Sequence, residues 1–169
     1  MNGRRNNSAT VGEWIESRLY LFWICALFFL SSESLLSQAP VKKFHGYVFS
    51  GVAAGANLTD LIVGGGAEVL IKGGFGIAAD GAVYIGKGGD AELVAFLFGA
   101  IYMFHPERQT VPFVRAGVVG YALTDGAGGG HFGAGVNHWF SEHLGLRVEA
   151  NALVGDINLG EIRFGLLIQ

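Results

Sequence analysis

The residues best placed to do chemistry are five histidines, His45, His105, His131, His138 and His143, and the glycine run in Leu61-Ile62-Val63-Gly64-Gly65-Gly66-Ala67. A glycine run after a strand can open a dinucleotide-binding unit, whose helix N-terminus meets a pyrophosphate. Here Val69 stands at the final glycine position, and the sequence beyond it alternates with period two instead of forming an amphipathic helix. Nucleotide binding is set aside on that ground. No histidine pair has the His-Glu-x-x-His spacing of a helical zinc site, so no metal or other cofactor is expected. A serine hydrolase needs its histidine within hydrogen-bond reach of the nucleophile. His138 and Ser141 are three apart, which separates them onto opposite faces of a strand. No enzymatic activity is expected.

The remaining polar chemistry is a set of charges at regular spacing. From Leu144 to Leu153, Arg147, Glu149 and Asn151 share one parity, while Leu146, Val148, Ala150 and Ala152 share the other. From Ile157 to Gln169, Glu161, Arg163 and Gly165 oppose Ile162, Phe164, Leu166 and Ile168. Alternation of this kind belongs to a strand with two chemically different faces. Further upstream, Glu68, Lys72, Gly64 and Gly66 oppose Val63, Ala67, Val69 and Ile71, and Asp80, Gly76, Ala78 and Tyr84 oppose Ile77, Ala79, Val83 and Ile85. Arg115, Gly117 and Tyr121 likewise oppose Val114, Ala116 and Val118, and His131, Gly133, Gly135 and Asn137 oppose Phe132, Ala134 and Val136. The polar face thus carries Lys72, Arg115, Arg147 and Arg163 against Glu68, Asp80, Glu149 and Glu161, a balanced set. Charges enclosed together must pair. An ion-pair network is expected inside a closed barrel, with Glu149 opposite Arg163 and Asn151 opposite Glu161 if the last hairpin turns near Gly155-Asp156.

The elements that must position these groups are eight runs separated by turn-like clusters: Lys42 to Ala56, Leu61 to Lys72, Phe75 to Gly86, Glu92 to Phe104, Val111 to Leu123, His131 to Phe140, Leu144 to Leu153 and Ile157 to Ile168. Gly, Asn, Asp and Pro between them supply the turns. Runs near ten residues suit tilted membrane crossings, and an even number returns both ends to one side. The first run has no clear parity, and the fourth is apolar on both faces, through Phe96, Leu97, Phe98 and Ile101. The fold expected is all-β, a closed antiparallel eight-stranded up-and-down transmembrane β-barrel over residues 40 to 169.

Composition agrees. The 169 residues are 51% hydrophobic and 15% charged, with 28 glycines and a net charge of −3; ordinary soluble domains carry about 25% charged residues. A chain with so few charges covers a watery surface poorly, whereas a barrel in lipid needs an apolar outside and small residues within. No basic cluster exceeds Lys42-Lys43, so nucleic acid is not an expected partner. Residues 1–39 read as a signal peptide: Arg4, Arg5 and Arg18 precede the apolar run Leu19 to Leu30, with Ser37-Gln38-Ala39 as the cleavage region. Cys25, the only cysteine, lies in that run, and Ile24 before it is not the small residue that lipidation requires.

The block from Pro112-Phe113-Val114 through Gly133-Ala134-Gly135-Val136-Asn137-His138-Trp139-Phe140 to Leu144-Gly145-Leu146-Arg147-Val148-Glu149 resembles the small bacterial outer-membrane β-barrel domain, related to the transmembrane domain of outer-membrane protein A. The Gly-Gly-Gly-Ala-Glu-x-Leu-x-Lys-Gly-Gly-Phe-Gly hairpin is similar to members of the same group, and the resemblance covers residues 42 to 169. It implies a place in the bacterial outer membrane, outer-membrane lipid as the surrounding partner and insertion by the barrel-assembly machinery. It implies no particular activity, since the group is functionally mixed. Members commonly end on or next to an aromatic residue, where this chain reads Leu166-Leu167-Ile168-Gln169.

Tyr102, Phe104, Trp139 and Phe140 sit at strand ends, where an interfacial aromatic girdle belongs. The outer connections expected are Asn57 to Asp60, Lys87 to Ala91, Thr124 to Gly130 and Asp156 to Ile157, all short. The function expected is that of a monomeric, porin-like membrane protein of Gram-negative type with a structural or interaction role. Two alternatives stand beside it: a narrow pore or transporter for a small solute, and a soluble lipocalin-like ligand-binding barrel with its apolar face turned inward.

Overall fold

The computed structural model describes residues 44–55, 59–86, 89–122 and 127–169. The expected signal peptide, residues 1–39, lies outside the described residues. The described chain forms eight strands: β1 (Phe44–Gly55), β2 (Thr59–Lys72), β3 (Phe75–Ile85), β4 (Ala91–Met103), β5 (Thr110–Tyr121), β6 (Gly128–Trp139), β7 (Leu144–Gly155) and β8 (Leu159–Ile168). Each pairs antiparallel with the next, and β8 returns to β1, closing the barrel. Closure satisfies both edges of every strand, which an open sheet in lipid could not do.

The expected segmentation holds, with shifted ends. β2 begins at Thr59 rather than Leu61, and β8 at Leu159 rather than Ile157. The expected connection Thr124 to Gly130 is shorter than its sequence suggests, because Gly128, Gly129 and Gly130 pair with Gly120, Val119 and Val118 as part of β6. A glycine run reads as loop by composition. Here it continues a strand whose backbone hydrogen bonds the barrel supplies. The β2–β3 connection is the Gly73-Gly74 pair, both with left-handed φ, +58° and +84°, the geometry of a two-residue hairpin turn. The register shifts by one between Leu70 and Lys72, next to that turn.

The two strands that sequence could not orient take their parity from their neighbours. β1 pairs with β2 and β8 so that His45, Tyr47, Phe49 and Ala53 turn into the barrel and Phe44, Val48 and Val52 turn out. In β4, Leu93, Ala95, Leu97, Ile101 and Met103 point in, and Phe96 and Phe98 point out at 60% and 57% exposure. Among the described outward side chains of the strands the one Asp, Glu, Lys or Arg is Lys72, at the last position of β2, and Val, Ile, Leu, Phe, Ala and Gly dominate. An apolar wall of this breadth is the exterior of a barrel solvated by lipid. It is also the reverse of a lipocalin-like barrel, whose apolar face would line the interior.

Candidate functional site

The charged residues named from parity meet in a belt across the lumen, with one exception. Arg147 on β7 is the hub. Its Nη1 lies 2.7 Å from Glu68 Oε1 and its Nε 2.7 Å from Glu149 Oε2. Glu149 also receives Arg115 Nη1 at 3.3 Å, and that guanidinium reaches Asp80 Oδ2 at 2.7 Å. Asp80 is shared with Arg163 Nη1 at 3.2 Å, and Arg163 Nη2 meets Glu161 Oε2 at 2.6 Å. The seven groups form one continuous string over β2, β3, β5, β7 and β8, all 5% exposed or less. The register that places them has Glu149 opposite Arg163 and Asn151 opposite Glu161. Such a string stabilises because no charge is left alone; removing one member of a buried pair costs about 3–5 kcal/mol.

Lys72 stands apart and corrects the expected network. It is exposed at the last position of β2 and pairs, beyond the register shift, with the outward-facing Phe75. Its side chain thus lies outside the belt, which leaves three guanidinium groups against four carboxylates within. His45 adds a further partner. Its Nε2 lies 2.8 Å from Glu68 Oε2, and the pairing of His45 with Glu68 across β1 and β2 places it there. The uncertain parity of the first strand concealed His45, as it concealed Tyr47, whose hydroxyl donates to Asp80. Tyr84 similarly donates to Glu161. Aromatic rings sandwich the cations: Arg147 Cζ lies 4.4 Å from the Tyr47 ring centroid and 4.0 Å from that of Phe113, and Arg163 Cζ lies 4.5 Å from that of Phe49. Rings over guanidinium planes add cation–π attraction in a buried site. Room for them comes from Gly64, Gly66 and Gly135, where a Cβ would strike Phe49, Tyr47 and Phe113.

Apolar side chains line the lumen on both sides of the belt. Toward the end holding the start of β1 and the finish of β8 lie Leu70, Met103, Val111, Trp139 and Leu167, and toward the other lie Ile62, Leu93, Val119, Leu153 and Leu159, all buried. Parity alone hid these plugs, because inward leucines break the alternation of polar with apolar.

Of the expected girdle, Tyr102 and Phe104 meet edge to face at 4.9 Å between ring centroids, with Phe75 at 4.6 Å from Tyr102. Phe140 is exposed, with the His138 ring 5.2 Å away. Trp139 is a correction. It is 6% exposed and packs edge-on against His45 at 5.5 Å inside the barrel. Adjacent strand positions point to opposite faces, so Trp139 and Phe140 could not share the girdle. Among the described residues no group of three or more His, Cys, Asp or Glu is arranged to hold a metal ion.

Belt and wall together define the class: a closed eight-stranded barrel of the transmembrane type. Solved structures of the same fold include a de novo designed transmembrane β-barrel, with 21% identity, a TM-score of 0.54 and coverage of 79% of this chain and 98% of that one. They include the N-terminal β-barrel domain of Pseudomonas aeruginosa OprF, with 15% identity, a TM-score of 0.56 and coverage of 73% and 96%. Neisserial surface protein A matches with 16% identity, a TM-score of 0.53 and coverage of 74% and 94%. No protein-family model matches the chain, and no curated protein matches it.

Proposed function

We propose that this protein is a small bacterial outer-membrane β-barrel with a structural or interaction role and no enzymatic activity, acting as a monomer surrounded by outer-membrane lipid. The observation that carries this reading is the pairing of a broad apolar exterior with an enclosed belt of paired charges flanked by buried apolar side chains. The exterior suits lipid, and buried apolar side chains lie on both sides of the belt within the lumen. The fold shared with OprF's barrel domain and Neisserial surface protein A supports the outer membrane as the location; insertion by the barrel-assembly machinery is part of the same proposal. Transport is the weaker reading, since a pore would need a continuous polar lining.

Expression in a Gram-negative host followed by density-gradient separation of the two membranes tests the location. Recovery with the outer membrane is expected; recovery from the soluble periplasm would overturn it. Planar-bilayer recordings of the refolded protein test the plug, with conductance at the bare-bilayer baseline expected. Steady single-channel steps that scale with salt concentration would favour the pore.

A further inference from the structure

One corner of the belt carries polar atoms that nothing on the described chain satisfies. His131 on β6 is 2% exposed, and neither ring nitrogen has a hydrogen-bond partner. Asn151 on β7 is 5% exposed, and both carboxamide atoms lack one. Arg115 makes its bonds through Nη1, while Nε and Nη2 have none. In folded proteins, buried polar groups are overwhelmingly hydrogen-bonded, to protein or to ordered water.

The register gathers these three side chains around one spot. Gly133 pairs with Arg115 on one side and with Asn151 on the other. His131 is the next inward residue along β6 and pairs with Gly117. The two glycines form a floor without side chains. A Cβ on Gly133 would collide with the Asn151 carboxamide oxygen, so that amide lies directly across the floor.

Charge and hydrogen-bond capacity together select the occupant. Arg115 is already held by two carboxylates, so an added anion would enlarge the carboxylate surplus in a medium of low dielectric constant. An added cation would face free guanidinium N–H groups. A neutral molecule that both accepts and donates meets all three partners: it accepts from Arg115 Nε–H and Nη2–H and exchanges bonds with the Asn151 amide and an imidazole nitrogen. Water does this in the space of one atom, and a buried water makes about three such bonds. We propose that the corner bounded by Arg115, His131 and Asn151 over Gly117 and Gly133 is a binding site for a cluster of ordered water, and that it rejects small anions.

The test is water-to-protein cross-relaxation NMR on the isotope-labelled full chain refolded in micelles, read at carbon-bound protons of His131 and Asn151, with a sodium chloride titration alongside. Long-lived water cross-peaks at both residues, with no chloride-dependent shift, are expected. Chloride-dependent shifts centred on Arg115 and Asn151 would make the corner an anion site. Absence of water cross-peaks would mean that the three side chains satisfy one another. Either result overturns the proposal. Asn151→Leu should abolish the cross-peaks at His131 while the resonances of β1 to β4 stay in place. If that variant does not fold, His131→Phe, with the reading taken at Asn151, serves the same purpose, and cross-peaks unchanged in the folded variant would also contradict the site.

Discussion

Arg147 joins two carboxylates and two aromatic rings, so its loss strands Glu68 and Glu149 together. Arg147→Met is expected to lower the unfolding free energy by about 3–5 kcal/mol, the cost of leaving buried charge uncompensated. Lys72→Met, at the exposed rim, is expected to change it by less than about 0.5 kcal/mol, as surface substitutions usually do. Urea unfolding in lipid vesicles measures both, and equal losses would contradict the exclusion of Lys72 from the belt. Trp139 offers a second residue-level check. In a variant with Trp14→Phe and Trp23→Phe it is the only tryptophan, and its place against His45 inside the barrel predicts weak quenching by brominated lipid. Strong quenching would return it to the girdle. Charges at alternate positions told in advance which groups would meet, since the period of a strand is fixed by its backbone. His45 and Tyr47 were not legible as partners, because the Phe44–Gly55 segment is apolar or small on both parities apart from His45 and Ser50.

Strand pairing explains why some glycines tolerate change and others do not. Gly74 combines a φ of +84° with a close approach to the Met103 carbonyl, whereas a Cβ on the outward-facing Gly120 meets nothing within 4 Å. Gly74→Ala is expected to cost at least about 1 kcal/mol, the penalty of left-handed backbone for a residue with a Cβ, and Gly120→Ala less than about 0.5 kcal/mol. Urea midpoints of the two variants make the comparison, and a neutral Gly74→Ala would sink the turn geometry. On the outer wall, Val148→Arg is expected to cost about 2–4 kcal/mol if the residue lies near the bilayer midplane, measured the same way in vesicles. An effect near zero would place that face in water. Eight segments and their order were readable because turn residues punctuate them. Their ends were not, since the Gly128–Gly130 stretch carries no side-chain pattern and only cross-strand hydrogen bonds to β5 decide its state. The orientation of β4 was hidden for a related reason: it supplies apolar side chains to the lumen plugs and to the lipid wall at once.

At the scale of the barrel, the protein inverts a soluble one, with seven charged side chains enclosed in a continuous string and a largely apolar surface outside. Asp156, in the connection from β7 to β8, ties it to the start of β6 by accepting from the Gly128 N–H at 2.9 Å. Heat-modifiability of the protein refolded in detergent, run unboiled against boiled on a denaturing gel beside circular dichroism, tests the closed membrane barrel most directly. The account predicts a β-rich spectrum and a mobility that shifts only after boiling. A protein that is β-rich, monomeric and soluble without detergent would contradict it.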